Sequence, residues 1–319
     1  MASYLEGIAR ALLDPFEAFV LPSERVYAPL LLLSVLLSLW ALRRGGFRRA
    51  WRTVFDRQVW WHPSARADYQ LLFAKALIAA ALWPTAIGGA TLVAAAASTV
   101  LIASLGEATP RSPGAFAVGA FSVLAFVAND FARFHIHRTM HRIPRLWQLH
   151  QVHHSAETLT PLTLYRTHPV EAFFNGAATA LAVGLVSGVF YYAYGSALRG
   201  WEILGVGALG FLFNAAGANL RHSVVWWSWG RLERWLISPA QHQLHHSTDP
   251  SLQNRNYGAS LALWDRLYGS LRTSPAERPH LRFGVAEGLN HGHTVGSMLL
   301  GPLRAMMGER RQREARQPG

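Results

Sequence analysis

Two copies of the pattern His-x-x-His-His constrain this chain more than any other feature: His150, His153 and His154, then His242, His245 and His246. A third element, His137-x-x-x-His141, precedes them. On a helix, positions i, i+3 and i+4 fall on one face, so each element presents its imidazoles together. A lone histidine on an apolar face is ordinarily a packed or surface residue, and repetition is what separates these eight. Eight imidazoles in register form a metal site and are too many for one ion. Neutral imidazole suits Fe, Zn, Cu and Ni. Any fold adopted by the chain must bring three separated elements to one place.

The surroundings of these elements point to a membrane. Apolar residues make up 51% of the 319 and charged residues 15%, a balance that suits a membrane protein better than a soluble one. The formal charge of +12 comes almost wholly from arginine, Lys75 being the sole lysine. The arginines sit beside apolar runs and at the tail, as headgroups and the positive-inside rule favour, and no nucleic-acid motif accompanies them. The arginine bias suggests a bacterial genome and hence the inner (cell) membrane. Cysteine is absent, which excludes disulfides, thiolate zinc sites and iron–sulfur clusters.

Residues 1–25 lack a basic start followed by an apolar run, so no cleavable signal peptide is expected. Val26 to Leu42 is nearly all apolar and is followed by Arg43, Arg44, Arg48, Arg49, Arg52 and Arg57, which mark the cytoplasmic side. Residues 70–105 read either as a surface helix and one crossing or as a tight hairpin. Further apolar runs cover about 115–134, 172–194 and 201–220. Backbone inside lipid must be helical, so the chain is expected to be an all-α membrane protein with about four to five transmembrane helices. A helical cap carrying the histidines should then rest at the membrane face. Placing the arginines and the histidines on one side requires an odd number of crossings between 70 and 115, which favours five. A soluble helical bundle would have to bury several long apolar runs in one core.

Carboxylate di-iron bundles need Glu-x-x-His pairs, and the one such pair, Glu277 and His280, is interrupted by Pro279. Neither His-Glu-x-x-His nor Gly-x-Ser-x-Gly occurs. What remains is a pair of metals held by histidine beside lipid. Asp130, seven residues before His137 on the same helical face, is a natural acceptor for the outer N–H of a ligand imidazole. Pro144 should break the helix after His141.

These residues are similar in order and spacing to the sterol desaturase and fatty acid hydroxylase superfamily. The resemblance is carried by Asp130-His137-Arg138-His141, Trp147-His150-His153-His154-Ser155, Arg166-His168-Pro169-Glu171, His242-His245-His246-Ser247, Asn256-Tyr257-Gly258 and Trp264-Asp265-Arg266. It spans about residues 120–272. It implies a non-haem di-iron enzyme that uses O2 to hydroxylate or desaturate a C–H bond of a membrane lipid such as a sterol, hopanoid or fatty acyl chain, with zinc as a substitute in preparations. By position, His137, His141, His150, His153, His154, His242, His245 and His246 carry over as ligands. His222, in the region where the family places a further ligand, is the ninth. His168 belongs to an element that is open to a fold-shaping role instead, and His62, His135, His280, His291 and His293 are expected to be bystanders. On this reading residues 1–115 anchor, 116–275 form the catalytic domain and 276–319 form a basic tail. With no cytochrome b5-like or ferredoxin-like segment in the sequence, a separate electron donor is expected. Two other classes stand beside this one. A membrane protein handling metal or haem would place polar residues at mid-membrane, and the apolar runs hold almost none. A non-catalytic relative keeping metal for stability is separated only by an assay.

Overall fold

The apolar runs become helices whose ends fall where glycine, proline and arginine interrupt them. The computed structural model describes residues 13, 15–22, 24–86, 89–109, 111–195, 208–285 and 292–314. Helix α1 (Ala28–Leu42) ends in an Arg43–Gly45 turn, and Gly46 takes the left-handed φ of 86° that lets the chain bend into α2 (Phe47–Val54). Phe47, Trp51 and Phe55 form an exposed stripe flanked by Arg48, Arg49 and Arg52, a pattern suited to the headgroup layer.

Helices α3 (Pro63–Ala86) and α4 (Gly89–Leu105) resolve the ambiguous stretch. Helix α4 packs along α7 (Pro169–Tyr194). Lys75 donates to the Thr167 hydroxyl just before α7 begins. Gly89 then backs onto Ala180, Gly184 onto Ala90 and Val93, and Gly188 onto Ala94 and Ala97. Partner numbers rise together, so 70–105 makes one passage parallel to α7 and not a hairpin. The contact is close because it is made of small residues. A Cβ on Gly184 would lie 2.7 Å from the Ala90 carbonyl, and one on Gly188 would lie 2.8 Å from that of Ala94. Small residues four apart are what lets membrane helices approach without a hydrophobic drive.

Helix α5 (Ala115–Arg142) runs the opposite way, with Phe121 against Phe190 and Asn129 accepting from Thr179. It therefore returns the chain to the level at which α7 starts. Among the described residues three helical segments are long and apolar enough to cross a membrane: Ala28–Gly45, Ala115–Arg142 and Pro169–Tyr194. Gly89–Leu105 is also apolar but shorter. The last expected run lies partly outside the described residues; within it 208–215 are helical.

Ile143 is extended, as a residue before proline must be, so α5 stops and α6 (Pro144–His154) starts at a sharp corner. The cap continues through α8 (Pro239–His245) and α9 (Leu263–Leu267). No strand occurs among the described residues, only one antiparallel bridge between Leu236 and Leu261. The segment expected as a basic tail contributes α10 (Val295–Glu314) to this cap. Met298 of α10 is buried with Ala67 and Leu71 of α3 and Val152 of α6. The apolar face of α10 is what draws the end of the chain back onto the cap.

Candidate metal centre

Nine histidines gather into two groups. One holds His137, His141, His150, His154 and His245, the other His153, His222, His242 and His246, with the ligand atoms of each group within 4.8 Å of one another. The division runs through neighbours in the sequence. In the first His-x-x-His-His the outer pair goes to the five-membered group and His153 to the other. In the second, the outer pair joins the four-membered group and His245 crosses over. Helix geometry explains this. At about 100° per residue, positions i and i+4 diverge by about 40° and share a target, while i+3 and i+4 splay by about 100° and face two.

Each nitrogen set has the geometry that a cation site requires. In the five-membered group every Nε2 is buried without a hydrogen-bond partner. In the other, the Nε2 atoms of His222, His242 and His246 form a triangle with sides of 2.9, 3.1 and 3.2 Å. Such a triangle cannot be hydrogen-bonded throughout, because one nitrogen cannot both donate and accept. A shared ion with bonds of about 2.1 Å at right angles holds neighbouring nitrogens about 3 Å apart. The residues fit a metal in both places.

The outer nitrogens fix which tautomer faces inward. The Nδ1–H of His137 donates to the Tyr257 carbonyl at 2.7 Å, that of His245 to Arg255 at 2.7 Å and that of His153 to Arg166 at 3.3 Å. His150 donates to Glu171 Oε1 at 2.8 Å. Since carbonyl and carboxylate oxygens only accept, Nδ1 carries the proton and Nε2 keeps its lone pair. Burial pushes His150 and His153 down to about 3, in His153 with help from neighbouring imidazoles. Burial first and adjacent imidazoles second hold His154, His222, His242 and His246 well below the usual imidazole range. The rings stay neutral at pH 7, as metal ligation requires.

The acceptor role expected of Asp130 falls elsewhere. Its Oδ1 accepts from the Ser260 N–H, and its Oδ2 accepts from the Leu261 N–H and the Trp264 indole. Asp130 thus pins the loop 260–264 to α5 and touches no ligand imidazole. Glu171 is the carboxylate that does, and its place in the Arg-x-His-Pro-x-Glu element was the available signal. Glu171→Gln keeps the shape but loses the charge on the His150 N–H. It is expected to weaken metal binding or activity by about 10–100-fold, measured by competition with a chelator. Unchanged affinity would assign Glu171 to packing alone.

The other histidines lie apart. His168 caps α7, accepting from the Val170 N–H, with its Nε2 on the Leu299 carbonyl. His135 bonds the Tyr268 hydroxyl. His293 contacts Arg166 and Glu157, His62 approaches Glu157, and His280 is exposed. His291 lies outside the described residues.

Local sequence places the ligand helices. A capping box between Ser238 and Gln241 starts α8 immediately before His242. At the end of α6, Arg166 is fully buried and acts as a hub. Its guanidinium donates to the Val152 carbonyl, the Ser155 hydroxyl, the Ser64 carbonyl and Asp68. These bonds tie α6 to α3, while the backbone carbonyl of Arg166 orients His153.

A cavity of about 370 Å³ opens beside the nitrogens between α5 and α7. His137 and His150 line it from one group, and His153, His222 and His242 from the other. It continues past Ala172, Asn175 and Thr179 along α7. A second cavity of about 430 Å³ reaches His141, His154 and His245 from the cap, past Trp147 and Thr248.

Comparison with known proteins agrees with this site. The fatty acid hydroxylase family matches residues 122–270, a stretch that contains all nine histidines. Over 52% of its length the chain is 27% identical to an alkylglycerol monooxygenase of Xenopus tropicalis and 28% identical to that of Homo sapiens. It is 30% identical over 48% of its length to the ornithine lipid hydroxylase OlsE of Rhizobium tropici. The chain spans 33% of each of the first two relatives and 42% of the third. No solved structure matches it significantly. The family match thus encloses both histidine groups, and over residues 122–270 the chain is similar to the fatty acid hydroxylase family.

Proposed function

We propose that the chain uses O2 and two iron ions to hydroxylate a C–H bond of a membrane lipid. The observation that carries the reading is the pair of imidazole groups, of five and four, sharing the wall of one cavity beside the membrane helices. Two bound irons would supply the activation of O2. His137, His141, His150, His154 and His245 would hold one iron, and His153, His222, His242 and His246 the other. The chain's own part is to orient the rings through their Nδ1–H bonds, keep them neutral, and admit a lipid between α5 and α7. The balance is C–H plus O2, two electrons and two protons, giving C–OH and water. Desaturation needs the same inputs, but the relatives named as monooxygenase and hydroxylase favour oxygen insertion. The electrons come from a separate carrier, ferredoxin-like or cytochrome b5-like, for which surface arginines offer an attractive field. The test joins metal analysis of protein expressed with added iron to lipid mass spectrometry of cells with and without the gene. Close to two ions per chain and one lipid class heavier by one oxygen are expected. Folded protein with one ion or none would refute the di-metal reading, and no lipid change would refute the activity.

Orientation is proposed from the arginines after α1: Arg43 to Arg57 and the histidine cap share the cytoplasmic face of the inner membrane. Because cysteine is absent, single cysteines at Gly45 and Ser247 report cleanly. Both are expected to react from the same side, and labelling from opposite sides would refute the arrangement.

A further inference from the structure

Arg25, Arg133 and Arg221 share the cavity wall with five of the nine imidazoles. Nothing in the metal chemistry described above uses them. Arg221 is 5% exposed and donates to the Ala218 and Ala259 carbonyls, and among the described residues its third guanidinium nitrogen, Nη1, has no hydrogen-bond partner. Among the described residues the side chains of Arg25 and Arg133 form no hydrogen bond, and none of the three arginines pairs with a carboxylate within 4.0 Å. The nearby acids are engaged. Asp130 accepts from three N–H groups, and Glu171, the only acid in the wall, accepts from His150.

Three guanidiniums, that of Arg221 buried and those of Arg25 and Arg133 half-buried, beside one committed carboxylate are a costly arrangement. Their mutual repulsion shows in Arg25, held well below the ordinary arginine range by burial and then by the charges of Arg133 and Arg221. An anion entering the cavity reverses both penalties, and the planar forks suit the oxygens of carboxylate or phosphate.

We propose that Arg25, Arg133 and Arg221 bind the anionic group, carboxylate or phosphate, of the lipid that is oxidised. The inference rests on the lipid-hydroxylase reading and adds a substrate class and a position. A cavity of 370 Å³ is about as large as a sphere 9 Å across. At about 1.2 Å of advance per bond in an extended chain, the oxidised carbon lies within about seven bonds of the anion. Oxidation falls near the polar end of the lipid and not deep in an acyl chain.

The test uses the full-length, iron-loaded protein in neutral detergent and follows the fluorescence of its 12 tryptophans. The probes are dodecanoate, dodecyl phosphate and dodecanol, which differ only at the head. Both anions are expected to bind at least about tenfold more tightly than the alcohol. Equal binding of all three would overturn the proposal. Inorganic phosphate and acetate distinguish a lipid-borne anion from a free one. If either binds as tightly as its dodecyl counterpart, the arginines hold a free ion and the proposal fails. Arg133→Met and Arg221→Met should reduce the preference for anions below about threefold while dodecanol affinity and metal content persist. A preference that survives in folded, metal-loaded variants overturns the assignment. Should either variant fail to fold, the wild-type comparison still decides. Tandem mass spectrometry of the lipid product separates the two readings. An anion preference without any oxidised lipid removes the activity and keeps the site, whereas a neutral oxidised lipid removes the site and keeps the activity.

Discussion

Alanine at His153 or at His245 is expected to abolish lipid oxidation and to lower bound metal, whereas His135→Ala retains most activity. His153 belongs to a group of four imidazoles and His245 to the group of five. Both are the residues that cross from their own helix toward the other group, so neither has a neighbour able to substitute. His222→Ala should match His153→Ala, because the same group then falls from four imidazoles to three. His135 contacts only Tyr268, the Phe131 carbonyl and aromatic rings outside both groups. Metal content and product would be measured together at equal membrane expression. Full activity in His153→Ala or His245→Ala would bring down the functional reading, while full activity in His222→Ala would remove that ligand alone.

Arg166→Ala is expected to cause the largest loss of stability of any single change outside the ligands. The Arg166 and Asp68 side chains are both fully buried, 2.9 Å apart, so removing one leaves the other charged and unpaired. Breaking such a pair costs about 3–5 kcal/mol. Arg166→Lys should not rescue, since an ammonium cannot span Val152, Ser155, Ser64 and Asp68 at once. Asp68→Asn should show a smaller loss in the same direction, because the amide keeps one oxygen to accept from Arg166 while the Thr163 hydroxyl loses the other. Thermal unfolding in detergent checks all three, and a wild-type midpoint in Arg166→Ala would show that the hub is dispensable.

Much of the site was legible because imidazoles at i, i+3 and i+4 can only be read one way once they recur. The sequence pattern also located the break at Pro144 and the helical membrane segments. Three things were not legible. Asp130 shares a helical face with His137, but the loop 260–264, distant in sequence, supplies stronger donors. Glu171 and Arg166 were visible as parts of a motif, yet their roles depend on α3 and α6 meeting beneath them. The closing helix α10 was hidden behind a run of arginines at its far end.

The exchange of His153 and His245 between the two groups has a consequence for how the centre is assembled. On the proposed reading, each ion is held by both His-x-x-His-His helices. Whichever ion bound first would therefore lock α6 and α8 into the geometry that the second requires, and the ordering cost would be met once. Loading would then be cooperative: half-filled chains would be scarce at any supply of iron, and a population short of metal would divide into complete and empty molecules.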